Sequence, residues 1–393
     1  MRKLIALAVL LCASLPVRAE TLLVLPFFNL SRNSNLDWIG ESLAEAVHDA
    51  LAAERALVLD RDDRDAVYRR LSIRPYSRLT KASVFVVGEA LDANRVVYGS
   101  FQFTPPAAGA TGRGSLRITA QILNISDRSA GPEYLEMGAL EDLARLQTHL
   151  AWQTLQFLVP DEAPSDQEFQ KRQPVYRVEA IENFIRGVVA VQPDLKLKFF
   201  QQAVRIEPMY SQANYELGRL YLQRKNYRAA ADTLSKVLPS DPHCREALFH
   251  LGLSRYNLNE FDAAQMAFLK VAEDVPLNEV FNNLGAAQTR SNPAEALKNF
   301  QKALEGDPND PDYHFNVGYA LLRSGRYGEA AERFRSVLDR VPGDPVATTL
   351  LGRCIKGSSS RASGGVPENL ERLKGNFEET AYRQLKAVLE VKK

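Results

Sequence analysis

Residues able to do chemistry are few in this 393-residue chain: five histidines, three cysteines and two short runs of acid or glycine. His48, His149, His243, His250 and His314 form no His-Glu-x-x-His or other close metal pair, so they read as structural or surface groups. The run DRDDRD from Asp60 to Asp65 begins like a calcium loop but lacks the central glycine and the closing bidentate Glu. Acid beside the positive end of a helix dipole accounts for it. GATGRG, Gly109 to Gly114, lies between strands rather than opening a helix, and no Gly-x-Ser-x-Gly elbow is present. The stretch NLSRNSNLDW, Asn29 to Trp38, stands where a phosphate loop would, after an apolar run and before a helix. It has no glycine to turn successive amides inward and no Lys-Ser or Lys-Thr pair. Neither a catalytic centre, a metal nor a cofactor is expected.

What could recognise another molecule lies in the second half, on a repeat. Gly218, Gly252, Gly285, Gly318 and Gly352 are spaced 34, 33, 33 and 34, and Pro208, Pro242, Pro276, Pro308 and Pro342 are spaced 34, 34, 32 and 34. Ala230, Ala264, Ala296 and Ala330 follow eleven or twelve residues after a glycine. Small residues let paired helices approach, and proline ends each second helix because it lacks an amide donor. Phe268, Phe300 and Phe334, with Leu234 in the matching place, are expected to fill the groove to the neighbouring repeat. A shortened first copy begins at AIENFIRG, Ala180 to Gly187. One repeat cannot bury its apolar face, so the units must stack.

These markers together resemble the tetratricopeptide repeat from Arg177 to Pro345. The resemblance implies a concave face lined by first-helix positions around the glycine. Those positions hold Tyr215, Arg219, Phe249, Tyr256, Asn282, Phe315, Tyr319 and Arg323, with Gln223, Leu253, Ala286, Thr289 and Leu322 beside them. Aromatic rings with Arg and Asn suit an extended peptide, supplying flat contact area and donors for backbone carbonyls. The Lys-x-x-x-Asn pattern with which some family members clamp a terminal carboxylate is absent. Cys244 and Cys354 fall about three repeats apart, roughly 30 Å at ordinary helix spacing, beyond the reach of a disulfide within one chain.

In the first half, strands are expected over Leu22–Phe27, Ala56–Leu59, Arg95–Phe103 and Ser115–Asn124, and helices over Leu36–Ala53, Arg61–Leu71, Lys81–Leu91 and Leu140–Leu158. VLPFFNLSRNSNLDWIGESLAEAV, ALDANRVVYGSF and LRITAQILNISDRS resemble the amino-terminal domain of TolB-like and FlgO-like bacterial envelope proteins. Combined with the repeats, that implies an α/β (α+β) domain followed by an all-α solenoid.

The chain opens with MRKLIALAVLLCASLPVRA: a basic start, an apolar run from Leu4 to Leu11, and Val17 and Ala19 at the −3 and −1 positions of a signal-peptidase site. The run is far short of the roughly 20 residues that span a bilayer, and Leu11 is too bulky for lipid attachment at Cys12. Loss of Arg2, Lys3 and Arg18 from the 49 Lys and Arg leaves 46 against 48 acidic residues, a net charge of −2. That argues against general affinity for nucleic acid or anionic lipid.

The expected organisation is a signal peptide (1–19), a TolB/FlgO-like domain (20–159), a polar linker (160–176), tetratricopeptide repeats (177–356), and a Gly/Ser loop with a C-terminal capping helix (357–393). The functional expectation is a non-catalytic scaffold in the periplasm or outer envelope. Its groove would bind a protein or peptide partner there, while the first domain docks on an envelope component. From another class, a small-molecule sensor or enzyme would carry its ligand on the α/β domain. No oligomeric state is specified.

Overall fold

The computed structural model describes residues 21–31, 33–54, 56–107, 114–161, 163–357 and 369–391. The expected leader and most of the Gly/Ser stretch lie outside them. In the first half, strands β1 (Thr21–Val24), β2 (Phe28–Asn29), β3 (Leu57–Val58), β4 (Arg95–Thr104), β5 (Ser115–Asn124) and β6 (Ser129–Ala139) form one mixed sheet. Its order is β3-β1-β4-β5-β6, with β2 also paired to β4. β1 lies parallel to β3 and β4, with Leu23 opposite Val96. β4, β5 and β6 run antiparallel, with Phe101 opposite Ile118.

Helices α1 (Asp37–Ala53), α2 (Arg61–Arg70), α3 (Lys81–Ala90) and α4 (Leu143–Leu158) cover both faces. Strand alternation sorts them: Leu22 and Val24 join the core under α1 and α4, while Leu23 and Leu25 join Val67, Val84 and Val87 from α2 and α3. β6 was not among the expected strands. Its residues are mostly exposed and include Gly131, Pro132 and Glu133, so it lacks an apolar alternation and is held by hairpin pairing to β5.

The turn before α1 spends its polar groups on itself. The Asn29 side chain donates to the Asn33 carbonyl and to Asp37, both at 2.8 Å, and Ser31 Oγ accepts from the Phe103 amide at 2.7 Å. Gly40 is needed for approach: a Cβ there would stand 2.0 Å from the Phe27 carbonyl oxygen.

The segment expected to be a linker contains α5 (Asp166–Arg172), capped by Ser165 and Glu168, and its Phe169 is fully buried. One core runs from the sheet through Phe169 into the first repeats, so this segment is a packed bracket. Helix pairs follow: α6 (Val178–Val189) with α7 (Pro193–Ile206), α8 (Ser211–Gln223) with α9 (Tyr227–Leu234), and α10 (Cys244–Asn257) with α11 (Phe261–Asp274). Next come α12 (Asn278–Gln288) with α13 (Pro293–Gly306), α14 (Pro311–Arg323) with α15 (Tyr327–Arg340), and a single α16 (Pro345–Lys356). Phe268, Phe300 and Phe334 do not merely fill the space between repeats. Each lies directly on the glycine of its own repeat, Gly252, Gly285 or Gly318.

The C-terminal region departs most from expectation. Residues 369–378 form neither helix nor strand, and only α17 (Glu379–Val391) is helical. They do not cap α16, whose Gly352 faces open space and whose Ile355 is exposed. They lie in the concave groove.

Candidate functional site

First helices of successive repeats put equivalent positions side by side, and here those positions carry buried amides. Asn282, Asn283 and Asn316 are fully buried. Asn316 donates to the Arg372 carbonyl and accepts from the Arg372 amide, each at 2.8 Å. Asn283 does the same to Lys374, again at 2.8 Å each way. Asn282 adds a second donor to the Arg372 carbonyl at 2.8 Å and accepts from Asn316 at 2.7 Å. Alternate residues of an extended chain present their backbone groups to the same side, so two asparagines one repeat apart grip two residues as a neighbouring strand would.

The side chains of the segment enter subsites of opposite charge. The Glu371 side chain is fully buried. It accepts from the Tyr256 hydroxyl at 2.8 Å and from Arg290 at 3.2 Å, with Arg323 at 4.0 Å. Burial, together with the negative charge of Glu371, holds the Tyr256 phenol well above its ordinary pKa, so it stays a donor. Arg372 pairs with Asp312 at 3.3 Å and with Asp344, and its guanidinium lies 3.8 Å from the Phe315 ring centre. Lys374 pairs with Asp310 at 2.7 Å and Asp312 at 2.8 Å. Burial alone would lower the Lys374 pKa, yet these carboxylates outweigh it and raise it. Asp310 and Asp344 also cap α14 and α16, so the Asp-Pro pairs that open these helices serve the groove as well. Phe377 packs against Phe249 with ring centres 4.5 Å apart and ring planes tilted by 49°. Beyond it, Arg383 of α17 reaches Asp63 of α2 at 3.5 Å, so the strap runs back toward the sheet domain.

Among the groove residues expected from sequence, Phe249, Tyr256, Asn282, Phe315 and Arg323 meet this segment. Tyr319 is fully buried, with the Arg323 guanidinium 5.8 Å from its ring centre. Tyr215 is buried and stacks on His243 at 4.7 Å, while Arg219 pairs with Glu216 at 3.0 Å. Sequence reasoning passed over Asn283, Asn316 and Arg290. Arg290 stands five residues after Gly285, as Arg323 stands after Gly318, so the repeat register itself held that signal. The occupant, lying outside the repeats, carried no such signal.

On the α/β domain, a cleft of about 630 Å³ opens beside β2 and the start of α3, lined in part by Phe28, Asn29, Tyr76, Arg78, Lys81 and Ser100. Among the described residues no cluster of His, Cys, Asp or Glu could hold a metal, and no helix is long and apolar enough to cross a membrane. Cys244 and Cys354 are both free thiols.

Residues 199–243, 215–278 and 286–345 match the family Tetratricopeptide repeat. The helical half is a tetratricopeptide-repeat solenoid. In sequence the chain is similar to the type IV pilus assembly protein PilF of Pseudomonas aeruginosa, 24% identical over 156 residues, which is 39% of this chain and 62% of PilF. It is also similar to the peroxisomal targeting signal receptor of Eremothecium gossypii, 27% identical over 168 residues, 42% of this chain and 27% of the receptor. The chain thus spans under two thirds of the length of either relative. Among solved structures, YrrB, a tetratricopeptide-repeat protein with an unusual peptide-binding site, is similar at a TM-score of 0.40 and 19% identity, over 48% of this chain and 96% of YrrB. MamA of Desulfovibrio magneticus RS-1 is similar at a TM-score of 0.36 and 22% identity, over 39% of this chain and 88% of MamA. Tetratricopeptide arrays bind protein or peptide partners.

Proposed function

We propose that this protein is a non-catalytic, exported scaffold whose concave groove holds an extended segment of a protein partner in the cell envelope, while its α/β domain docks on an envelope component. The observation that carries the reading is the pair of two-point amide clamps made by Asn283 and Asn316. Such clamps recognise backbone, and so serve any chain that lies extended along the groove. Export rests on the leader-like start, with Val17 and Ala19 before Glu20. Envelope work is in keeping with the TolB/FlgO-like sequence of the first domain and with a relative named for type IV pilus assembly.

Crosslinking pull-down from the native envelope fraction tests the reading, comparing the full wild-type chain with an Asn283→Ala/Asn316→Ala variant. The variant is expected to keep its helical signal and lose the partners that the wild type recovers. The same preparation should show a mature chain beginning at Glu20 by mass spectrometry. Recovery of every partner by the variant would move the site to the cleft on the α/β domain, and with it to the small-molecule alternative.

A further inference from the structure

The scaffold reading says that the groove takes an extended segment; what that segment must look like is written in the occupant. We propose that residues 369–378 are a built-in competitor for the groove, displaced by a partner segment that carries the same signature. That signature is an acidic residue followed directly by a basic one, a second basic residue two positions on, and an aromatic residue three beyond that. In this chain it reads Glu371, Arg372, Lys374 and Phe377.

Each part of the signature has its own receptor. The acid enters a pocket made by Tyr256, Arg290 and Arg323, where a neutral side chain would leave two guanidinium groups without their anion. The basic residues face the carboxylates of Asp310, Asp312 and Asp344. Reversing either charge sets like against like in a partly desolvated groove, which gives selectivity as well as attraction. The aromatic residue has the Phe249 ring as its platform.

The occupant is built to leave. It contributes no helix or strand, and Leu370, Leu373 and Phe377 are only partly buried. Its remaining ties are hydrogen bonds, ion pairs and the ring contacts at Phe249 and Phe315, and on opening the polar groups, the buried Glu371 carboxylate included, pass to water. The 11 residues from Ser358 to Glu368, rich in Gly and Ser, join it to the end of the array.

The test uses a fluorescent peptide of residues 369–378, NLERLKGNFE, added to three full-length chains: the wild type, Glu371→Gln, and Glu371→Ala/Phe377→Ala. Binding should tighten in that order, with at least a tenfold gain from wild type to the double variant, while the helical signal stays constant. The same peptide with the residue equivalent to Glu371 replaced by Ala should bind the opened double variant at least tenfold more weakly. Equal affinity for all three chains would overturn the proposal, and so would tight binding of the peptide lacking the Glu371 carboxylate. Loss of helical signal in both strap variants would also overturn it, because the segment would then be a fixed part of the core. A peptide that binds none of the chains sinks this inference alone; the scaffold reading is judged separately by the Asn283 and Asn316 pull-down.

Discussion

Glu371 shows how much of the groove's specificity rests on one charge. A carboxylate removed from water is costly unless its partners replace the lost hydration, and here a phenol and Arg290 do so directly. Arg290 also lies 4.0 Å from the Phe261 ring centre, so its guanidinium is positioned before the acid arrives. Breaking a fixed buried pair costs about 3–5 kcal/mol. A strap that can swing out returns its charge to water, which limits the loss. Arg290→Ala should therefore lower stability by only about 1–2 kcal/mol, and adding Glu371→Ala should cost almost nothing more. Urea denaturation of the two single variants and the double variant measures this coupling. Additive losses would mean that the two groups do not act as a pair.

In the helix pairs, the repeat glycines are set by packing rather than by backbone freedom. A Cβ on Gly285 would stand 2.8 Å from the Phe300 ring and 3.0 Å from the Ala296 carbonyl oxygen, while one on Gly352 meets nothing within 4 Å. The same substitution should then act in opposite directions. Gly285→Ala overpacks a filled contact and should cost on the order of 1–3 kcal/mol. Gly352→Ala, where the added methyl meets no described atom within 4 Å, should add up to about 1 kcal/mol through helix propensity. Melting temperatures of the two variants decide it, and equal shifts would remove packing as the cause. These pairs were legible in advance because glycine, aromatic and proline recur at one period. β6 was not, because an exposed hairpin strand carries no apolar alternation, and Phe169 was hidden in a segment otherwise polar enough to read as a tether.

Across the whole molecule, the sheet domain and the solenoid are joined by the core through Phe169 and by polar ties such as Arg61 to the Val188 carbonyl at 3.1 Å. Close to that junction His48 lies between Asp49 at 2.9 Å and Asp60 at 3.7 Å. Burial alone would lower its pKa, but the hydrogen bond to Asp49 and the nearby Asp60 carboxylate outweigh it and raise it from 6.5 to about 10. A histidine raised in the folded state contributes stability that is complete below pH 6.5 and lost as the pH rises toward 10. Glu45, raised to about 7 by burial and then by Glu41 and Asp49, adds a penalty that grows between pH 4.5 and 7. Both act in one direction, so the contribution of this pair of groups to stability should fall from pH 5 to pH 10. In His48→Gln the urea midpoint should be lower at pH 6 and its fall above pH 7 shallower, the remaining slope belonging to His243, whose pKa burial would lower but Asp241 and Glu246 raise to about 9. An unchanged slope would mean that His48 is not the titrating group.

Local order was set by the sequence alone. The period near 34 residues places every repeat helix, the alternation in β1 sorts the two faces of the sheet, and the missing glycines rule out a phosphate loop at Asn29 to Trp38. These features depend on neighbours along the chain, so a linear pattern records them. The groove's occupant is different in kind. Asn316 meets Arg372 across 56 residues and Asn283 meets Lys374 across 91, and neither segment carries a mark of the other. Only the summed curvature of the repeats brings Asn283, Asn316, Arg290 and Arg323 onto one wall and turns the chain's end back along it. Contacts between distant segments arise from accumulated geometry, and that is decided when the chain folds.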